Sequence, residues 1–218
     1  MTNKDISKII IKLRRAYKNF TRPSVTEISD NYKDPFLILI SCILSLRTKD
    51  KISRLASERL FSLAKSPKQI LKLSLAKIRK LIYPVGFYRI KSIRIREICS
   101  DLIKRFDGKV PDNLEDLLSL KGVGRKTANL VLTLGFGKLG ICVDTHVHRI
   151  SNRLNIVDTA NPLQTELELR KILPQKYWLE YNDLLVAFGQ NICKPISPLC
   201  SKCTIRSYCH KKAVKFYR

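Results

Sequence analysis

The stretch LLSLKGVGRKTANLVL, residues 117–132, decides the fold, because one helical run of apolar residues enters a Gly-Val-Gly bend and a second run leaves it. Gly122 and Gly124 permit positive φ and let the backbone close around a bound group. The amides that begin the following helix form an anion site suited to a phosphodiester. The bend is not a dinucleotide-binding fingerprint, since Thr127 stands where the third glycine belongs and no strand precedes it.

Helical spacing extends over most of the chain. Apolar residues recur at intervals of three and four, as in the two predicted stripes Ile6, Ile9, Ile10, Leu13 and Leu55, Leu60, Phe61. Capping side chains at Ser66, Asn161 and the pair Asp112-Asn113 predict helix starts, the first two with proline at the first helical position. We therefore expect an all-α fold of roughly ten helices.

One segment is ambiguous. Residues 88–98 partly alternate as a strand would, but the following apolar spacing and the absence of Gly and Pro from 87 to 107 favour a helix. Gly and Pro concentrate at 84–86, 108–111, 122–124, 135–140 and 195–198, which predicts loops there. Trp178 is predicted to belong to the core.

The charge of the chain indicates its class of partner. Its 218 residues include 42 Lys and Arg against 18 Asp and Glu, a formal net charge of +24 at pH 7. Self-repulsion on this scale opposes compaction, so a polyanionic partner is predicted; a solvated basic surface without one is the alternative. Nucleic acid fits better than a membrane surface, because the basic residues are spread over the whole chain. The 44% hydrophobic content argues against disorder, and no apolar run approaches the ~20 residues that cross a bilayer.

The cysteines fall into two groups. The N-terminal stretch MTNKDISKIIIKLRRAYKNF has no signal-peptide pattern, so we expect a cytoplasmic, reducing location. Three cysteines in apolar contexts, Cys42, Cys99 and Cys142, are predicted to pack as small hydrophobic residues. The other four, Cys193, Cys200, Cys203 and Cys209, form the pattern C-x6-C-x2-C-x5-C, which points to metal rather than to disulfides. Zinc is one candidate metal, although zinc sites usually show two C-x2-C pairs and only Cys200 and Cys203 form such a pair here.

Three segments together resemble one family. The segment LKGVGRKTA, residues 120–128, resembles the helix-hairpin-helix of the endonuclease III family of DNA glycosylases, and VDTHVHRISNR from Val143 resembles its aspartate-bearing segment. The resemblance extends from DPFLILISCILSLRTKD, residues 34–50, to the last cysteine. It implies an all-α, two-domain helix-hairpin-helix DNA glycosylase fold. A six-helix barrel would span 28–138, with the hairpin at about 114–134, and an iron–sulfur cluster domain would combine 1–27 with 139–218.

The resemblance also implies a reacting pair. Lys126, beside Arg125 and the positive end of a helix, is the expected amine nucleophile, since this setting lowers the pKa of an ammonium group. An amine can expel a base at C1′ and hold the sugar as a Schiff base, which a carboxylate or water cannot do. Asp144 is the expected partner, stabilising a cationic sugar or relaying a proton. Its alternative role is that of an ordinary helix N-cap, and both can hold together.

The resemblance implies a [4Fe–4S] cluster on Cys193, Cys200, Cys203 and Cys209, with nearby basic residues such as Lys194 presented to phosphates. The hairpin residues Lys121, Gly122, Val123, Gly124 and Arg125 are expected to bind DNA, together with His146, whose alternative is a helix-surface position.

Three expected DNA-contacting positions need separate comment, because two depart from the family and one has an open alternative. Arg47 stands where the family usually has the glutamine that fills the gap left by the extruded base, so opposite-base preference is open. Lys121 replaces a proline, which adds phosphate affinity and costs rigidity. Phe87 resembles the apolar wedge, with a core aromatic as its alternative.

We therefore expect a monomeric, cytoplasmic, nucleoid-associated prokaryotic enzyme that acts on duplex DNA with damaged bases or abasic sites and binds no membrane. The expected activity is that of a bifunctional DNA glycosylase and AP lyase for oxidised pyrimidines. The alternatives are a mismatch-directed glycosylase of the same fold, acting on T/G or U/G, and a non-catalytic helix-hairpin-helix DNA-binding protein. RNA binding is disfavoured because no aromatic-rich sheet motif appears, and a hydrolase triad because no G-x-S-x-G does.

Overall fold

The computed structural model describes residues 2–218, and every regular element in that range is a helix. Twelve α-helices follow one another: α1 (Asn3–Tyr17), α2 (Ser24–Tyr32), α3 (Pro35–Ser45), α4 (Asp50–Phe61), α5 (Pro67–Lys72), α6 (Leu75–Ile82), α7 (Tyr88–Phe106), α8 (Leu114–Ser119), α9 (Arg125–Phe136), α10 (Thr145–Arg153), α11 (Pro162–Ile172) and α12 (Trp178–Asn191). Short 3-10 helices occupy Gln175–Tyr177, Cys200–Lys202 and Arg206–Tyr208. The all-α prediction is confirmed.

The predicted helix starts are confirmed in detail. The side chains of Ser66, Asn113 and Asn161 cap α5, α8 and α11, and proline follows the first and last of them. Residues 88–98 lie in α7, as the spacing predicted. The structure has twelve α-helices within residues 2–218, two more than the rough expectation of ten.

The predicted apolar stripe of Leu55, Leu60 and Phe61 is wrong at Leu55. Leu55 is 40% exposed, whereas Leu60 and Phe61 on the same helix are fully buried. Five residues advance an α-helix by about 140° beyond one full turn, so Leu55 and Leu60 cannot share a face.

The predicted loop at 135–140 begins too early, because Gly135 is helical. Gly135 lies inside α9, which ends at Phe136, with Gly137 as its C-cap at φ of 63°. A Cβ on Gly135 would stand 3.2 Å from the Cα of Pro35, so the missing side chain lets α9 approach the start of α3. This glycine serves helix packing rather than a turn.

One compact unit, Ser24–Lys138, is built around α3. This helix is apolar on all sides and buried from Phe36 to Leu44, and it contacts α2, α4, α7 and α9. Burial raises the pKa of the Cys42 and Cys99 thiols to about 12, and both pack as predicted.

The second compact unit combines the described part of Met1–Pro23 with Leu139–Arg218. Helix α12 contacts α1 and α10, and its core includes the predicted α1 stripe and Tyr181. Trp178 is 8% exposed and donates from Nε1 to the carbonyl of Leu173 at 2.8 Å, which confirms its place in the core. Cys142 is buried as predicted.

The predicted domain boundary at residue 28 lies inside α2. The predicted roles of the two parts, barrel and cluster domain, stay predictions. No helix within residues 2–218 is both long and apolar enough to span a bilayer.

Candidate functional site

The hairpin consists of α8, the bend at residues 120–124 and α9. Val123 is 5% exposed and donates its N–H to the carbonyl of Leu120 at 3.0 Å, which closes the bend. Gly122 has φ of 87°, and a Cβ there would stand 2.6 Å from Cδ of Arg94. Backbone conformation and space therefore both require glycine at position 122.

Gly124 differs from its neighbour. Its φ is −96°, and a Cβ there would meet nothing within 4 Å. Gly124 is the N-cap of α9 and supplies no side-chain cap hydrogen bond. The protein itself does not need a glycine at this position, so the open space suits the close approach of a ligand.

Basic side chains surround the bend, as predicted. Lys121 is exposed and pairs with Glu97 at 3.3 Å, and Arg94 pairs with the same carboxylate at 2.8 Å. An exposed pair of this kind contributes about 0–1 kcal/mol, so a phosphate can compete for Lys121. The ion pair also tethers the bend to α7 where the family's proline is missing.

Lys126 lies in the first turn of α9 and is exposed, while Thr127 and Ala128 behind it are buried. Cys42 of α3 lies close enough to feel its charge: burial raises the pKa of that thiol, and Lys126 lowers it by a smaller amount. The rigid α3–α9 packing thus holds the base of this lysine while its side chain reaches solvent.

Asp144 caps α10 and is 8% exposed. Its Oδ1 accepts from the amides of His146 at 2.8 Å and Val147 at 2.9 Å. The N-cap prediction is confirmed, and Val147 and Ile150 are buried below it as the sequence indicated. Two amides fix the orientation of this carboxylate.

His146 packs more closely than predicted. A Cβ on Gly189 of α12 would stand 2.3 Å from its Nδ1, and Nη2 of Arg149 lies 3.1 Å from the same atom. His146 is therefore partly buried against α12 rather than a plain surface residue. Gly189 was not recognised in the sequence, because a helical glycine gives no local sign of a neighbour from another helix.

The structure brings Arg47 and Phe87 together. The guanidinium carbon of Arg47 lies 5.9 Å from the centroid of the Phe87 ring, and both residues have left-handed backbone, with φ of 51° and 58°. Phe87 is 58% exposed, so its alternative as a core aromatic is wrong. Non-glycine residues in this conformation are uncommon and concentrate at functional sites.

The four C-terminal cysteines line a single pocket together with Arg153. The pKa of Cys203 is raised to about 11, mainly by burial and to a smaller extent by the nearby thiols of Cys193, Cys209 and Cys200. Within residues 2–218, no three His, Cys, Asp or Glu side chains are grouped tightly enough to hold a single metal ion. The four thiols nevertheless line one pocket and influence one another electrostatically, so they are the residues that could hold a shared metal group.

Two arginines on α10, which sequence analysis missed, bind the segment that carries Cys193, and Arg153 also lines this pocket. Nη1 of Arg153 donates to Sγ of Cys193 at 3.3 Å and to the carbonyl of Lys194 at 2.7 Å. Arg149 donates to the carbonyl of Cys193 at 2.7 Å, while its buried Nε has no partner. Arg153 is 6% exposed, and a buried cation needs compensating negative charge. The only sequence signal was an arginine three residues after Ile150 on the buried face.

Residues 40–175 match the family model of the HhH-GPD superfamily base excision DNA repair protein. Endonuclease III of Thermotoga maritima is 45% identical over 203 residues, which cover 92% of this chain and 93% of that protein. A trapped covalent intermediate of endonuclease III with DNA, with an estranged adenine, is similar at 31% identity and a TM-score of 0.85, covering 97% of this chain and 98% of that one. A thermostable thymine-DNA glycosylase is similar at 26% identity and a TM-score of 0.82, covering 97% and 99%.

Proposed function

Because this chain belongs to the endonuclease III family, whose members are DNA glycosylases and AP lyases of base excision repair, we propose that it removes oxidised pyrimidines from duplex DNA and then cleaves the strand through Lys126. One observation carries the proposal. An exposed lysine stands in the first turn of a helix whose N-cap, Gly124, has no side chain and faces open space.

The chemistry follows from an amine at that place. The Lys126 amine attacks C1′ of the deoxyribose, the bond from C1′ to the base breaks, and the base leaves with the electron pair and takes up a proton. Loss of the amine proton and opening of the sugar ring give a Schiff base, which acidifies C2′. Removal of a C2′ proton expels the 3′ phosphate oxygen and breaks the strand. Water then hydrolyses the Schiff base and restores the amine.

Asp144 supplies the negative charge that this pathway needs. The sugar becomes cationic as the base departs, and a carboxylate held by two amides stabilises that charge without rearranging. The same carboxylate can relay the proton that the amine loses. Its burial at the helix N-cap keeps it fixed through both steps.

DNA contacts divide between the phosphate backbone and the gap left by the extruded base. The amides and basic side chains of 121–125 bind the phosphodiester, with His146 and Lys194 as further contacts. Arg47 fills the gap and Phe87 wedges the stack, which their mutual contact and exposure support. Monomeric state and cytoplasmic, nucleoid-associated location stay predictions.

The four cysteines hold a [4Fe–4S] cluster, which the family, the cysteine pattern and the pocket with Arg153 support. Metal binding must deprotonate these thiols, whose burial raises the pKa of Cys203 and Cys209. The cluster has a structural role, because base removal and strand cleavage transfer no electron. It orders residues 193–209 and their basic side chains.

Borohydride trapping tests the lyase. We expect the parent to form a covalent complex with an abasic duplex, and Lys126→Ala to form none. Lys126→Arg, which keeps the charge but cannot form a Schiff base, should also form none while it still binds the duplex. Lys104→Ala, an exposed lysine in the same compact unit, is the control. Equal trapping by parent and Lys126→Ala would leave only the non-catalytic DNA-binding alternative.

A mismatch-directed activity is the second candidate, because the thymine-DNA glycosylase structure is similar over 97% of the chain, at lower identity than the endonuclease III complex. Duplexes that differ only in the target base separate the two. Preferential release of an oxidised pyrimidine supports the first proposal, and preferential release of thymine from T/G the second.

Absorption and iron content test the cluster. We expect a brown protein with broad absorption near ~400 nm from thiolate-to-iron charge transfer, lost in Cys203→Ser. Cys142→Ala, a buried cysteine of the same compact unit, should keep the colour. A colourless zinc protein would contradict the assignment.

A further inference from the structure

Lys91 of α7 is a buried lysine that the proposed chemistry does not use. It is 7% exposed. Its Nζ donates to three acceptors: the carbonyl of Leu44 at 2.8 Å, the carbonyl of Leu46 at 2.5 Å and Oγ1 of Thr48 at 3.1 Å. An ammonium group has three N–H donors, so this environment matches its full capacity.

The three acceptors belong to the end of α3 and the segment that follows it. Helix α3 ends at Ser45, and Leu44 and Leu46 lie where carbonyls lack partners within the helix. The end of a helix carries partial negative charge, so an ammonium there both caps the carbonyls and balances the charge. Burial lowers the pKa of Lys91 to about 8, which still leaves the amine mostly protonated at neutral pH.

This anchored segment, 44–48, carries Arg47. Arg47 itself points outward with φ of 51° between two residues whose polar atoms Lys91 holds. Oγ1 of Thr48 also accepts from the amide of Gly86 at 3.2 Å, and a Cβ on Gly86 would stand 2.7 Å from the carbonyl oxygen of Arg47. Lys91 and Thr48 thus join segment 44–48 to the residue that precedes Phe87.

We propose that Lys91 is a positioning residue for Arg47: its ammonium group fixes segment 44–48 so that the Arg47 side chain is presented to the gap in the DNA. The inference rests on the proposed gap-filling role of Arg47. Lys91 touches no DNA in this role and acts only through the segment it holds. Lys91 therefore sets the preference for an abasic duplex over an undamaged duplex, and it does not set the overall affinity for DNA.

The test uses two duplexes, one with a stable tetrahydrofuran abasic analogue and one undamaged. For Lys91→Met we expect affinity for the abasic duplex to fall about tenfold and affinity for the undamaged duplex to stay unchanged, since phosphate contacts are intact. Lys104→Met, on the exposed face of the same helix, removes the same charge and should change neither affinity. A fluorescent 2-aminopurine opposite the analogue should brighten with the parent and much less with Lys91→Met.

A double-mutant cycle separates positioning from general destabilisation. If Lys91 acts through Arg47, Lys91→Met adds no further loss of abasic-duplex affinity in an Arg47→Ala background. Equal losses on both duplexes, additive losses in the cycle, or an unchanged abasic-duplex affinity would each overturn the inference. If Lys91→Met fails to fold, Thr48→Val, which removes one shared acceptor, should lower the same preference in the same direction.

The two failures are distinguishable. Binding to the tetrahydrofuran duplex needs no Schiff base. An absence of borohydride trapping in the parent would therefore contradict the proposed lyase activity and leave the measured duplex affinities unaffected. If Arg47→Ala keeps full preference for the abasic duplex while trapping persists, the positioning role is overturned and the lyase stands.

Discussion

Helices α9 and α10 begin in opposite ways, although each carries one of the proposed reacting groups near its first turn. The N-cap of α9 is Gly124, which supplies no side-chain hydrogen bond. The N-cap of α10 is Asp144, whose carboxylate accepts from two amides. The N-cap residue of α9 therefore supplies no side-chain cap, whereas that of α10 caps its helix with a carboxylate.

The difference separates binding from charge stabilisation. A helix start without a capping carboxylate attracts an external anion, whereas an internal carboxylate at that place would repel a phosphodiester. A carboxylate that is already bound by amides needs no reorganisation when a cation develops nearby. In the proposed mechanism, the same feature of helix physics therefore serves substrate binding at α9 and catalysis at α10.

The largest expected effect comes from removing the charge of Asp144 while keeping its cap. Asparagine is as good an N-cap as aspartate, so Asp144→Asn should keep the melting temperature. Base release from a damaged duplex should fall on the order of 100-fold, because the cationic sugar loses its counter-charge. Single-turnover glycosylase assays measure this rate of base release. An unchanged rate would reduce Asp144 to a capping residue.

The next effect tests the open start of α9. Gly124→Ala should leave stability nearly unchanged, because its Cβ meets open space, but should lower duplex affinity about tenfold as the methyl group meets the phosphodiester. Gly122→Ala should instead lower the free energy of unfolding by about 1 kcal/mol or more, since it combines positive φ with an Arg94 collision. Titration of duplex DNA and urea unfolding distinguish the two. If both variants lost the same stability and the same duplex affinity, the proposed difference between Gly122 and Gly124 would be wrong.

The smallest effect concerns capping alone. Asp144→Ala and Asn161→Ala each remove a side-chain cap in the same compact unit, and each should lower the free energy of unfolding by about 1 kcal/mol in urea denaturation. Only Asp144→Ala should also lose base release. Loss of activity in Asn161→Ala would mean that stability, rather than charge, explains the result at Asp144.

Much of the fold was readable from local patterns. Caps at Ser66, Asn113 and Asn161 and the stripe of α1 predicted helices that the structure has, because a helix start and its periodicity depend on neighbours in sequence. The hairpin and the cysteine pattern were recognised for the same reason. Their predicted roles in binding and catalysis stay predictions.

Other features required contacts between distant residues. The sequence predicted Gly135 in a loop, but the structure packs it against the start of α3. Nothing in the sequence distinguished Lys91 from other basic residues, but in the structure its ammonium group binds the end of α3. Arg149 and Arg153 were missed for a similar reason, since their acceptors lie about forty residues later in the chain. Sequence periodicity shows which face of a helix is buried, but it does not show which polar groups of other segments lie against that face.

The sequence by itself determined the helical class, the bend between α8 and α9, the capping aspartate and the family, since each depends on short-range spacing and residue type. Tertiary structure alone decided which glycine is sterically required, which lysine is buried and which arginines bind the segment around Cys193. Those outcomes follow from packing, because close approach and desolvation arise only when segments far apart in sequence share one interior.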